Sequence, residues 1–563
     1  MGILKTILLT PIIGFGEKVV LFRHYVDNQR NKLITITAGI SKNASKNIDC
    51  LHKACIMIRY KSTRQMSIEE FKTPFQIKLD KENRWVKLGN SLPWDSLAGI
   101  YYRSMSSDQG APAIDARIVI GAVIVKHKLR LDDREAIETI RENMYIQYFL
   151  GLEEYTYNDV FDRSLFTTLR YRLGADKFDA MTREIILTSE GKGKREVNDP
   201  DESASSGKLQ QDGSLTSDRQ SEDKPKGNKG VLIVDATVAD QMIAHPTDLG
   251  LIARSREESE RIIDELCKSM GIKEKPRTYR RMARKQYLNV AKKKNKTKNE
   301  VRKAIGQQLR YLRRNLKSIN GLLDRGQGDS FPLVARDQKI YWVIQNIYDQ
   351  QEKMYKDHTH SVENRIVNIY QPHVRPIVRG KDRANVEFGA KLGVSIQNGY
   401  ARINTLSWEA YNESTDLKKQ VEDYKQLNGY YPKVVITDKI YGNRENRQWL
   451  KELGIRYSGK PLGRPSAKSQ TAYQKRKFLK EQGMRNEVEG KFGQGKNGYN
   501  LSKVRARAAR TSESWIAAIF FVMNLVKFSK DFLFSILNTL LEPFILVHLH
   551  FEVQRTGKMA LNE

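Results

Sequence analysis

The chain has 563 residues, and its 97 Lys plus Arg against 66 Asp plus Glu leave a formal net charge of +31. That length allows about two to four domains, and so large an excess of positive charge calls for a polyanionic partner, nucleic acid first and a membrane surface well behind it. Cys50, Cys55 and Cys267 are too few for a disulfide framework and lack zinc spacing, and His358 with His360 make a poor ligand set, so a secreted disulfide scaffold and a zinc enzyme are both disfavoured.

Residues 1–65 form an atypical extension. Ile3–Phe15 resembles a weak signal segment, but Pro11 interrupts it. Met66 opens a stretch that reads like a natural protein start. Residues 66–188 read as an all-helical domain. DARIVIGAVIVKHKL places apolar residues at helical spacing, DDREAIETIRENMYIQYFLGL follows with Asp133 near its start, and SLFTTLRYRL and KFDAMTREIIL complete the set. Such a domain suits DNA binding through one helix, with plain helical packing as the alternative. Residues 189–229 are polar, Gly/Ser/Pro-bearing and nearly free of large apolar groups, as in a linker.

GVLIVDAT is a short β-branched run, which predicts a buried strand ending in Asp235. From about 253 to 370 the pattern is helical and its middle is densely basic, with tyrosines between the charges. That composition suits a phosphate backbone, although a solvated charged face fits its KKKNKTK part nearly as well. EFGAKLGVSI and YARINTLSW then read as strands joined through Asn398-Gly399, a strong hairpin signal. DLKKQVEDYKQL predicts a helix, KVVITD a strand ending in Asp438, RENRQWLKELG a helix and IRYSG a short strand. KPLGRPSAKSQ is a basic loop before a last long helix carrying Glu489. The chain is therefore α/β. Once the helical insertion is set aside, the element order is that of a ribonuclease-H-like domain over residues 230–530. The apolar tail, 531–563, predicts buried or interface helix. Across the apolar stretch Ile516–Phe551, Lys527, Lys530, Asp531, Glu542 and Pro543 leave pieces too short to span a bilayer.

Phosphodiester chemistry needs charge neutralised on phosphate and a nucleophile made at neutral pH, and two Mg²⁺ ions about 4 Å apart do both. Magnesium prefers carboxylate oxygen, so Asp235, Asp438 and Glu489 are the candidate metal ligands. A strand-ending Asp also caps turns commonly. With Arg485 at zero on a helical wheel, Glu489 lies near about 40°, Lys496 near about 20° and Gln482 near about 60°, while Glu487 lies near about 200°. One face would thus carry an acid between two cations, provided that the helix continues past Gly490 and Gly493. A surface pair of Arg485 with Glu489 is the simpler reading.

The run Arg485-x3-Glu489-x6-Lys496 resembles the Tyr-x2-Arg-x3-Glu-x6-Lys signature of bacterial insertion-sequence transposases with an IS4-like DDE catalytic domain. VDATVADQMIAHPTDL, VEFGAKLGVSIQNGY, TDKIYGNRENRQWL and RNEVEGKFGQGKNGYNLSKVRAR are similar to the phrases around that family's acids, and residues 94–152 to its InsH-type N-terminal domain. The resemblance implies a metal-dependent transposase in which Asp235, Asp438 and Glu489 hold two Mg²⁺ ions, with Mn²⁺ as a substitute. It also implies that Arg485 and Lys496 contact transposon-end phosphates. Gln482 stands where the signature has tyrosine, so its DNA contact departs from the pattern. Implied partners are double-stranded DNA, as transposon ends and target, and further copies of the chain in a dimer or larger synaptic complex. The implied setting is the bacterial cytoplasm at the nucleoid, with no membrane. A DNA-binding remnant that no longer cuts is the alternative, and an RNA-binding structural protein rests on charge alone.

Overall fold

The computed structural model describes residues 68–73, 78–103, 105, 114–195, 227–325, 331–378, 386–460, 462 and 471–559. The atypical extension, most of the expected linker and nearly all of the basic loop lie outside them.

Helices open the described chain: α1 (Arg84–Ser91), α2 (Trp94–Tyr102), α3 (Ala116–Leu129), α4 (Asp133–Glu142), α5 (Met144–Phe149) and α6 (Ser164–Arg195). The start of α4 is set by Asp132 rather than Asp133. The Asp132 carboxylate accepts from the Glu135 N–H at 2.9 Å while Glu135 accepts from the Asp132 N–H at 2.8 Å, a reciprocal cap. The expected helices SLFTTLRYRL and KFDAMTREIIL are one element bent at Gly174, where φ is 58°. That element runs on to Arg195, past the expected boundary at 188.

Asp133 turns inward instead. It accepts from Arg170 at 2.8 and 3.0 Å and pairs with Lys126, whose side chain is 2 % exposed and whose ammonium lies 3.8 Å from the Trp515 ring centre. Burial pushes the Asp133 carboxyl up, but the Arg170 hydrogen bonds and the Lys126 charge outweigh it and hold the group down to about 2. Burial brings Lys126 down to about 8.

Next come β1 (Val231–Asp240), then α7 (Asp248–Ser269), α8 (Arg280–Ala291), α9 (Lys298–Leu323) and α10 (Ala335–Lys356). Leu251, Ile262, Ile263 and Leu266 of α7 share a core with Leu309, Leu312, Leu316 and Ile319 of α9 and Ile340, Ile344 and Ile347 of α10. The insertion therefore has its own apolar centre.

The chain returns through β2 (Arg375–Val378), β3 (Val386–Gln397), β4 (Tyr400–Ser407), α11 (Asp416–Asn428), β5 (Val434–Thr437), α12 (Arg444–Glu452), β6 (Arg456–Ser458), α13 (Ala472–Gly498) and α14 (Ala509–Met559). Asn398 and Gly399 turn β3 into β4 with φ of 51° and 77°, both positive as the Asn-Gly signal requires. The sheet order is β2-β3-β1-β5-β6, with β4 also on β3. β3 is antiparallel to β1, β2 and β4, whereas β1, β5 and β6 run parallel. The edge strand β2 carries no strand signal in the sequence, since RPIV is four residues long and lacks a period-2 pattern.

One expectation needs correction. β1 does not end at Asp235 but continues to Asp240, because β3 pairs with it all the way from Ile233 to Asp240. The C-terminal segment is helical, as its apolar pattern predicts, and it forms one continuous helix. Its charges interrupt apolarity, not helicity: Lys527 pairs with Asp531 one turn on, at 2.8 Å. Among the described residues no helix is long and apolar enough to cross a membrane. The first half of α14 is buried and meets α6, with the Phe178 and Phe521 rings 5.6 Å apart, and Arg402 of β4 holds Asp179 of α6 at 2.8 Å.

Asp133→Ala should leave Lys126 and Arg170 without their carboxylate and lower unfolding free energy by about 3–5 kcal/mol, the usual cost of breaking a buried pair, read by chemical denaturation. Asp159→Ala, which touches only the exposed Arg141 pair, should change it by less than about 1 kcal/mol.

Candidate active site

The parallel ladder of β1 and β5 pairs Val231 with Val434 through Val234 with Thr437, and stops. The next residue on each strand is an acid, Asp235 and Asp438. Neighbouring strands lie about 4.8 Å apart, so the end of this ladder sets two carboxylates side by side. Asp235 stays in the middle of β1 and is largely enclosed, 15 % exposed, with Oδ1 accepting from the Ala236 N–H at 2.8 Å. Asp438 is 49 % exposed and caps the short turn after β5 by accepting from the Lys439 N–H at 2.7 Å. The capping role weighed for a strand-ending Asp is therefore real at Asp438.

α13 crosses β1, β5 and β6 and brings the third acid. Glu481 anchors it: its carboxylate accepts from Arg456 at 2.9 Å and from Ser458 at 2.6 Å, both on β6, and Val488 is fully buried. Helical spacing from Glu481 then points Arg485 and Glu489 the same way, one and two turns on. The helix is unbroken through Gly490 and Gly493. Arg485 stands at the centre. Its guanidinium lies 3.8 Å from Asp235, 3.6 Å from Asp438 and 3.3 Å from Glu489. So the surface pair weighed from the sequence exists, but the same arginine also gathers both strand acids.

Lys496 lies further along α13 and pairs with Glu387 of β3 at 3.4 Å. Gln482 Nε2 and Arg485 Nε are enclosed without a hydrogen-bond partner among the described residues. Glu487 takes another direction, since a Cβ added to Gly399 would meet its Oε1 at 3.0 Å.

Burial pushes Asp235 up to about 6; the Ala236 N–H and Arg485 pull it down, and Glu413 and Asp438 add to the rise. Glu413, in the turn before α11, is thus part of the acidic surroundings of Asp235, where it also pairs with Lys391 at 3.0 Å. Nothing in YNEST marks it as more than a loop acid. His358 is exposed and is engaged with Arg302 at 3.0 Å.

The donors around Arg485 are all carboxylate oxygen, the set a hard divalent cation such as magnesium prefers. As placed, they converge on the guanidinium. No group of three His, Cys, Asp or Glu side chains among the described residues is arranged to hold an ion.

Residues 435–526, which include Asp438, Arg485, Glu489 and Lys496, match the Transposase DDE domain family. Residues 74–172 match a second family, Transposase domain (DUF772). Two separate segments of this chain are transposase-like. An uncharacterized protein of Rhizobium meliloti, ORF8 in the nfe locus, is 28 % identical over 173 residues, covering 30 % of this chain and 68 % of that protein. No solved structure matches the chain.

The raised Asp235 carboxyl gives a signed expectation. The folded protein holds this proton more tightly than the unfolded chain does, so ionising Asp235 opposes folding as pH rises through about 6, whereas well below pH 4 both states are protonated and the effect vanishes. In metal-free buffer, Asp235→Asn should therefore melt higher than wild type at pH 8, with the gap closing at pH 4, by thermal unfolding with EDTA present.

Proposed function

We propose that this chain is an active insertion-sequence transposase that binds the inverted-repeat ends of its element, cleaves the DNA there and joins the 3′ ends to target DNA. The observation that carries this reading is the meeting of Asp235, Asp438 and Glu489 around Arg485, within 3.8 Å. The sheet supports a ribonuclease-H-like reading of the fold, since an antiparallel run, β4-β3-β1, continues into parallel β5 and β6 with the acids at the junction. The helices of residues 66–188 would be the DNA-binding domain in front of it.

Asp235, Asp438 and Glu489 would hold two Mg²⁺ ions, or Mn²⁺ in their place. When bound, such ions lower the pKa of an attacking water and neutralise charge on the phosphate. The chain's own residues supply position. The two strand acids are fixed by the sheet and cannot move apart without breaking the ladder. Glu489 is 60 % exposed on a helix and is the adjustable member. Arg485 keeps the carboxylates from repelling one another while no other cation is present. With DNA in place its guanidinium suits a bidentate phosphate contact. Lys496 and Gln482 would extend that contact along the same helix face. Two ends must be brought together, so a dimer or larger assembly is expected, at the bacterial nucleoid.

The test is cleavage of a labelled duplex carrying the element's own end. Loss of a metal ligand removes several kcal/mol of transition-state stabilisation, so Glu489→Ala should cut about 100-fold more slowly or worse while still binding. Glu487→Ala should stay near the wild-type rate. Wild-type protein that binds but does not cut, with Mg²⁺ or with Mn²⁺, would mark a DNA-binding remnant instead.

A further inference from the structure

The insertion between β1 and β2 spends its carboxylates unevenly. Glu260 takes Arg256, Asp337 takes Arg261 at 2.7 Å, Asp264 takes Lys275 and Arg280, Glu352 takes Arg313, and Asp248 takes Arg365 at 2.6 Å. The outer sides of α8 and α9 receive none. On α9, with Lys303 at zero, Arg310 falls at about 340°, Arg314 at about 20° and Lys317 at about 320°, an arc of about 60° extending about 21 Å along the axis. All are exposed, and none has a carboxylate partner among the described residues. The one acid of α9, Glu300, is tied to its N-terminal cap and to Lys293 at 2.6 Å. On α8, Arg281, Arg284 and Lys285 share a second exposed arc of about 100°, and that helix has no acid at all.

Tyr279 joins the two faces. It enters α8 in the left-handed region, φ 54°, which a tyrosine rarely adopts. That turn puts its 44 %-exposed ring between two guanidinium groups, 5.1 Å from Arg277 and 4.5 Å from Arg314. Below it the helices are locked, with Gln308 of α9 donating to the Ala283 carbonyl of α8 at 2.9 Å, both residues fully buried.

We infer that the outer face of α8 and α9 is a second DNA-binding surface, gripping the sugar-phosphate backbone of a duplex outside the catalytic centre. Phosphates recur every 3.4 Å of axis along one strand, so a straight row of cations about 21 Å long spans about six of them. Repulsion within the row disfavours the free protein, and a polyanion relieves it. Contacts of this kind carry no base information, so the surface holds or orients DNA and leaves sequence choice to other parts of the chain. The choice of DNA as the polyanion rests on the transposase reading, and the row itself does not.

The test is the salt dependence of binding, not cleavage. Full-length protein carrying Arg281→Gln, Arg284→Gln, Arg310→Gln and Arg314→Gln is compared with a charge-matched control carrying Lys292→Gln, Lys294→Gln, Lys296→Gln and Lys298→Gln, on a fluorescent random-sequence DNA duplex. Each lost phosphate contact removes about 0.9 from the log–log slope, so the arginine variant should lose about 100-fold less affinity than wild type between 50 and 200 mM salt. The control should shift by less than half of that slope change. Equal shifts in the two variants would overturn the inference in favour of general charge, and so would an unchanged slope. A loss confined to an RNA duplex of the same length would overturn the assignment to DNA. A wild type that shows the slope but never cuts would sink the catalytic proposal and leave this one standing.

Discussion

Two strands run side by side for four residues, and the site depends on where that ladder stops. Val234 and Thr437 are its last partners, so Asp235, still paired with Val394 of β3, and Asp438, just past the end of β5, follow the ladder side by side. No loop has to fold correctly to set that placement. The third acid reaches the same spot through a different constraint, the anchoring of α13 to β6 by Glu481. Sheet and helix thus meet at one guanidinium, which is why Arg485 rather than any acid occupies the centre of the cluster.

Much of this was legible in the sequence, and the reasons differ by element. The β3–β4 hairpin could be read because Asn398-Gly399 admits few other backbone paths. The helix face of Arg485, Glu489 and Lys496 could be read because helical geometry fixes angles from spacing alone. What could not be read was decided by partners far away in the chain. β1 looked finished at Asp235 because VLIVD reads as a complete buried run, yet β3 carries the pairing to Asp240. The length of α14 was hidden because charges in an apolar run look like breaks, although a helix accommodates them at its surface. Glu413 gave no sign at all: its importance to Asp235 comes from tertiary proximity, and its own neighbours in the chain are ordinary turn residues.

The helical N-terminal portion shows the same division between local and distant causes. The Asp132–Glu135 cap is written in adjacent letters. Asp133, one position later, owes its low pKa to Arg170 and Lys126, and the Lys126 ammonium in turn lies against Trp515 near the other end of the chain. A single carboxylate there holds together groups drawn from α3, α4 and α6 beside α14.

The long excursion between β1 and β3 also governs when this protein can become itself. β1 is made early, but the strand that flanks it on one side begins at Val386 and the one on the other side at Val434. The insertion, with its separate apolar centre, can collapse while the ribosome is still adding the rest. The sheet cannot close, and Glu489 cannot arrive, until α13 has emerged. A truncated product ending before that helix would keep the basic insertion, with its own apolar centre, and would lack both Arg485 and the third acid, so the cluster at the end of the β1–β5 ladder is among the last features of the chain to form.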